Sequence, residues 1–293
     1  MIIIDGKHTA EEIYSELRKE TEKIVSSGKR PPSLVAILVG NDPASTHYVR
    51  SKEKIAKKIG FSSQTIHFPI SITQEELLQE IKKLNNNPDI DGYIVQLPLP
   101  KHIDEQEIIF AINPDKDIDG FHPLNLGKML VQSEGFLPAT PYGILELIKR
   151  YDINTVGKKV VIIGRSLIVG RPLSILLNQK HVGGNATVCV AHSKTKNLKK
   201  LTLSADILIT ALGKPEFVTA DMVKEGVVVI DAGINQIEDK NSAKGYKLVG
   251  DVKFDEVSKK ASYITPVPGG VGPMTIAMLM VNTMRAYKNN KLI

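Results

Sequence analysis

The chain has 293 residues, 42% of them hydrophobic and 24% charged, with a formal net charge of +6, which fits one large or two medium globular domains. It has no apolar run near the roughly 20 residues of a membrane helix, no basic region or cleavage site of a secretory signal at its start, and a single cysteine, Cys189, so no internal disulfide; a cytoplasmic protein is expected. The excess lysines (Lys194, Lys196, Lys199, Lys200) are spread along helical faces and Trp is absent, so the charge reads as solvated surface biased toward anionic small ligands, with neither nucleic acid nor a membrane as an expected partner.

Helix and strand patterns alternate along the chain. Ile13–Val25 reads as an amphipathic helix, Ser33–Val39 as a wholly apolar strand, 46–59 as a helix, 63–68 as a strand, and 73–84 as a helix capped by Thr73 or Ser71. Gly92–Leu97 is a further apolar strand. Continuous rather than alternating apolar strands in a βαβαβ order predict a parallel sheet covered on both faces. A second series begins near Val156, with strands at 160–164, 186–191, 207–211, 227–231 and 263–264. The expected fold class is α/β with two domains, each a mainly parallel sheet covered by helices, the second Rossmann-like. The boundaries read as 1–140 plus 271–293 for the first domain and 141–270 for the second. The last helix, 273–288, is apolar on nearly all sides and is expected to be buried against the first domain.

Asp42-Pro43 opens the second helix as N-cap and N1. At about 100° per residue, Ser45, Tyr48, Val49, Lys52, Ile55, Ala56 and Ile59 share one arc, whereas Arg50, Glu53, Lys54, Lys57 and Lys58 lie opposite. Lys52 therefore stands in the middle of an apolar face. Two readings are open: a desolvated amine of lowered pKa, suited to proton exchange near neutrality, or a snorkelling side chain. Gln96 interrupts the strand GYIVQL at its carboxyl end, the side on which open α/β sheets bind ligands; it reads either as a ligand-facing amide or as a loop cap. The run Asp115–Gly120, DKDIDG, copies half of a calcium loop, but its twelfth position is Leu126 and Pro114 precedes it. Its three carboxylates are then free for other work, such as holding an amine-bearing heterocycle. No His–Cys spacing suggests zinc, and no metal is expected.

Lys158–Pro172, KKVVIIGRSLIVGRP, is a strand that runs through a glycine turn into a helix, an arrangement that aims backbone N–H groups at a phosphate. Only two glycines, Gly164 and Gly170, replace the usual three. The second strand of this domain ends in His192-Ser193-Lys194-Thr195, with no acid to hold a ribose 2′-hydroxyl, and Arg165 and Arg171 lie in the preceding turn. That set favours a 2′-phosphate, hence NADP, against a plain basic surface loop.

Seven segments together resemble one family: GNDPASTHYVRSK (40–52), GYIVQLPLP (92–100), PDKDIDGFHPLNLG (114–127), GRSLIVGRP (164–172), DAGIN (231–235), GDV (250–252) and YITPVPGGVGPMT (263–275). The chain resembles the bifunctional methylenetetrahydrofolate dehydrogenase/methenyltetrahydrofolate cyclohydrolase (FolD) family over essentially its whole length. The resemblance implies a homodimer formed through the cofactor domains, NADP-dependent oxidation of 5,10-methylenetetrahydrofolate, and hydrolysis of the methenyl product to 10-formyltetrahydrofolate. It implies that Lys52 is the catalytic lysine, Gln96 the amide that tunes it, Tyr48 the ring that stacks on folate and Asp119 the carboxylate that holds the pterin. It assigns cofactor contacts to Gly164, Arg165, Ser166, Ser193 and Ile234, with Arg171 joining them from the charge argument, and a folate-bordering loop to Pro268, Gly269 and Gly270. Two motifs depart slightly: Ala139 stands for the usual cysteine of P-C-T-P, and Ala232 for the usual valine of D-V-G-I-N. Competing readings are an NADP-dependent dehydrogenase of another small substrate and a non-catalytic nucleotide-binding protein. A formyl-folate ligase would need a P-loop, and no G-x-x-x-x-G-K-[ST] is present.

Overall fold

The computed structural model describes residues 1–239 and 245–290. In chain order the elements are β1 (Ile2–Ile3), α1 (Gly6–Ser26), β2 (Ser33–Val39), α2 (Pro43–Lys58), β3 (Ser62–Phe68), α3 (Gln74–Asn86), β4 (Gly92–Val95), α4 (Glu105–Ala111), α5 (Pro123–Leu130), α6 (Ala139–Arg150), β5 (Lys159–Ile163), α7 (Gly170–Asn178), β6 (Thr187–Ala191), α8 (Leu198–Leu203), β7 (Ile207–Thr210), β8 (Val228–Asp231), β9 (Asn235–Glu238), β10 (Tyr246–Val249), α9 (Phe254–Val257), β11 (Tyr263–Ile264) and α10 (Val271–Asn289). The chain forms two compact units: Glu11–Ala139 with the chain from Ile276 onward, and Met1–Ala10 with Thr140–Thr275. Among the described residues no helix is long and apolar enough to cross a membrane.

The first unit holds a parallel sheet of order β3-β2-β4. All seven residues of β2 are buried, because a central strand faces helices on both sides and has no solvent face for a polar residue. Val35, Ile37, Val39, Tyr93 and Val95 pack with Leu77, Ile81 and Leu84 of α3 and Ile108 of α4. Helix α3 begins on a capping box: Thr73 Oγ1 accepts from the Glu76 amide and the Glu76 carboxylate accepts from the Thr73 amide, an arrangement worth about 1 kcal/mol. The C-terminal helix belongs to this unit from Ile276 on. Its buried Asn282 donates to the Ile118 carbonyl (2.7 Å) and the Leu137 carbonyl (3.0 Å), tying it to the acidic turn itself and to the segment that precedes α6.

The second unit is built on a six-stranded parallel sheet of order β1-β11-β8-β7-β5-β6. Counted from β5, its strands run 2-1-3-4-5, a doubly wound order whose switch point falls between β5 and β7. Ile2 and Ile3 pair with Tyr263 and Ile264. This backbone ladder carries the first ten residues into the second unit, whereas periodicity alone grouped them with the chain that follows. The antiparallel β9–β10 pair stands apart from the main sheet. This pair, α4 and α5 are too short to leave a periodic signature in the sequence.

Candidate active site

Helix α2 starts on Asp42, whose Oδ2 accepts from the Ser45 amide at 2.8 Å, and on Pro43. This fixed start sets the helix phase, and Ser45, Val49, Lys52 and Ala56 form its buried stripe. Lys52 is 9% exposed, so its amine does not reach water along the stem, and the snorkelling reading fails. Lys52 Nζ donates to Gln96 Oε1 at 3.1 Å. Gln96 lies one residue past β4, where its backbone N–H still pairs with the Ile37 carbonyl of β2 at 2.9 Å. Its own Nε2 donates to the Leu97 carbonyl at 2.7 Å, and that bond fixes which end of the amide faces Lys52. Tyr48, one turn before Lys52, is 36% exposed, with its ring edge against His47.

The acidic turn divides its carboxylates by role. Asp117 is 2% exposed and accepts from the Gly120 and His122 amides (3.2 and 2.8 Å) and from Asn125 Nδ2 (2.9 Å). It is a scaffold for the turn and is not free for a ligand, contrary to the expectation that all three acids were available. Lys116 is also buried, and its Nζ donates to the Leu84 and Asn87 carbonyls at the end of α3; burial lowers its pKa. The Tyr93 amide pairs with the Lys116 carbonyl at 3.0 Å, so β4 and the turn move as one piece. Asp115 stays exposed. Asp119, half-buried, lies within electrostatic reach of Lys52. Burial lowers the pKa of Lys52 and the charge of Asp119 opposes it; burial raises the pKa of Asp119 and the charge of Lys52 opposes it. Desolvation is the larger effect on each, so both groups are pushed toward their neutral forms.

In the second unit, Gly164 has φ +134°, and a Cβ there would lie 2.3 Å from the Ala211 carbonyl oxygen, at the end of the neighbouring strand β7. A Cβ on Gly170 would lie 2.1 Å from the Gly164 carbonyl oxygen. The two glycines therefore let α7 begin directly against the carboxyl end of β5, at the switch point. No side chain caps α7 at Val169, and Arg165, Ser166 and Arg171 are exposed around its start. Beyond β6 a compact turn closes through His192 N to Thr195 Oγ1 (2.9 Å) and Lys194 N to His192 Nδ1 (3.2 Å), leaving Ser193 and Lys194 exposed. This set fits a phosphorylated dinucleotide: a glycine turn at the strand's carboxyl end, two guanidinium groups, and a hydroxyl beside an ammonium. Ile234 is 44% exposed after β8. Pro268 is exposed, Gly269 has φ +109°, and a Cβ on Gly6 would collide with the Gly270 carbonyl. Lys52, Gln96, Tyr48 and Asp119 thus belong to the first unit, and the remaining expected site residues to the second. Two further buried carboxylates, Asp231 and Asp251, stand behind the second set. The D-A-G and G-D motifs hint at them, but only as turn chemistry.

A doubly wound parallel sheet with a glycine turn at its switch point and a ring of exposed cationic groups defines a dinucleotide-binding α/β protein. Comparison with known proteins is in accord. Residues 4–119 match the tetrahydrofolate dehydrogenase/cyclohydrolase catalytic domain and residues 138–291 the NAD(P)-binding domain of the same enzymes. The bifunctional protein FolD of Flavobacterium johnsoniae is 58% identical over 98% of both chains. The crystal structure of the bifunctional FolD enzyme of Campylobacter jejuni superposes with a TM-score of 0.92 at 49% identity over 99% of both chains. The Trypanosoma brucei methylenetetrahydrofolate dehydrogenase-cyclohydrolase, solved with NADP cofactor and an inhibitor, gives 0.95 at 37% identity, covering 100% of this chain and 99% of the other. The chain belongs to the tetrahydrofolate dehydrogenase/cyclohydrolase family.

Proposed function

We propose that the protein oxidises 5,10-methylenetetrahydrofolate to 5,10-methenyltetrahydrofolate with NADP and hydrolyses that product to 10-formyltetrahydrofolate. The observation that carries this reading is the buried Lys52 amine, bonded to a Gln96 amide that is itself locked by the Leu97 carbonyl. NADP, held through Gly164, Arg165, Ser166, Arg171, Ser193 and Ile234, would accept the hydride of the first step. The methenyl product is a cation, and water adds to it with release of one proton. A desolvated amine tolerates that cation, where an ammonium would repel it, and can take the proton from the attacking water. Gln96 keeps the amine aimed, Tyr48 offers a half-exposed ring for stacking on the folate ring system, and Asp119 accepts from the pterin amine and ring N–H. Pro268, Gly269 and Gly270 border the folate.

Substituting Lys52→Met tests this directly. With methenyltetrahydrofolate as substrate, the enzyme-dependent decay of the methenyl chromophore is lost; full turnover in that variant refutes the role of Lys52. A cytoplasmic homodimer completes the proposal. It is supported by β6, which ends the six-stranded sheet with Val188, Cys189 and Val190 only half-buried. Light scattering of the purified protein at twice the 32.2 kDa chain mass is the expected result.

A further inference from the structure

Two carboxylates behind the dinucleotide-binding edge are buried deeply and used fully. Asp251 is 0% exposed. Its Oδ2 accepts from the Leu212 amide (2.6 Å) and the Gly213 amide (3.3 Å), and its Oδ1 from the Lys214 amide (2.9 Å) and Asn235 Nδ2 (3.0 Å). Asp231, at the end of β8, accepts from Thr210 Oγ1 (2.8 Å) and from the Gly233, Asp251 and Val252 amides (2.9, 3.2 and 2.9 Å). Each carboxylate occupies the space of a missing side chain on the other's loop. A Cβ on Gly233 would lie 2.3 Å from the Asp251 Cγ, and one on Gly250 would lie 1.9 Å from Asp231 Oδ2. The segments D-A-G (231–233) and G-D (250–251) are thus a reciprocal clasp, in which glycine admits the acid of the opposite loop.

The loops gripped by Asp251 matter because of what they carry. The three amides it binds continue directly from Ala211, whose carbonyl packs against Gly164 at the switch point. Its Asn235 contact lies next to Ile234. Leu212, Gly213 and Lys214 lie beyond the end of β7, outside its ladder, and Asn235 only opens β9, so a charged acceptor is what orders the amides of 212–214 and ties them to Asn235. We propose that Asp251 is a positioning residue for the dinucleotide, setting cofactor affinity by holding the loops at 211–214 and 232–235 against the glycine turn and the nicotinamide side. The inference rests on the NADP reading above.

Asp251→Asn keeps the shape but turns an N–H₂ toward N–H donors. We expect NADPH binding, followed by the fluorescence of the reduced dinucleotide, to weaken about tenfold or more, and the KM for NADP to rise in step. Cyclohydrolase activity on methenyltetrahydrofolate without dinucleotide should stay within about twofold, because Lys52 and Gln96 lie in the other unit. A merely structural loss would lower both activities together and leave the KM for NADP unchanged, and that result overturns the proposal, as does wild-type NADPH affinity in a folded variant. If Asp251→Asn does not fold, Asn235→Ala, which removes one of the four bonds, decides: weaker NADPH binding supports the clasp and unchanged binding overturns it. Failure of the wild-type protein to bind NADPH would instead refute the NADP reading itself.

Discussion

Gln96→Glu replaces an amide by a carboxylate at the acceptor that Lys52 Nζ contacts, 3.1 Å away. The side chain is nearly isosteric, so the change is chiefly one of charge. Two unit charges at 3.1 Å attract by about 5 kcal/mol at an effective permittivity of about 20. Gln96 is only partly buried, and the new carboxylate has its own desolvation to offset, which reduces the useful part to about 1.5–3 kcal/mol, or about 1–2 pKa units. The sign is unambiguous: an added negative charge favours the ammonium, against the burial that lowers the wild-type pKa. If the neutral amine drives the cyclohydrolase step, the rate near neutrality should fall by about 10–100-fold. The acidic limb of the pH–rate profile should move up by about 1–2 units, with much of the rate recovered on its alkaline side. The assay is decay of the methenyl chromophore from pH 6 to 9, with uncatalysed hydrolysis subtracted. A limb that stays in place under a lowered plateau would mean that Gln96 only positions Lys52, and a limb that moves down would contradict the electrostatic account.

Removing the carboxylate in Asp119→Ala should weaken folate binding by about 10–100-fold, the range for hydrogen bonds to a charged group, measured as the KM for methylenetetrahydrofolate; unchanged affinity would make Asp119 a structural residue. Gly164→Ala places a Cβ 2.3 Å from the Ala211 carbonyl at φ +134° and should destabilise the cofactor unit by about 1–3 kcal/mol while abolishing NADPH binding, read by thermal melting and dinucleotide fluorescence. Burial pushes the Asp231 carboxyl from 3.8 up to about 6. A raised carboxyl contributes stability that is full at acid pH and lost as pH rises through about 6, amounting to about 3 kcal/mol. Urea unfolding of wild type and Asp231→Asn at pH 4, 5 and 7 should show the wild type gaining on the variant toward acid pH; a constant difference refutes this.

Much of the site was legible before any tertiary structure. The phase of α2 follows from Asp42-Pro43 and the 3.6 period, so Lys52 on the apolar face could be read from spacing alone. The apolar strands 33–39, 160–164 and 227–231 are near their observed bounds because a strand buried on both faces admits few polar residues. The glycine turn at Gly164 and the acid-free end of the second strand likewise pointed to a phosphorylated dinucleotide.

What the sequence determined by itself is therefore local: periodicity, caps, turn glycines and the residue types they place at strand ends. What only the tertiary structure decided is pairing across long separations. It locked Gln96 onto Leu97 and aimed it at Lys52, 44 residues away. It spent Asp117 on the amides of its own turn while leaving Asp119 within electrostatic reach of Lys52. It also drew β1 to a strand some 260 residues later and set Asp251 against the loops after β7 and β8. A carboxylate's role depends on which donors surround it in space, and identical residues two positions apart in one turn, Asp117 and Asp119, carry no local signal of that difference.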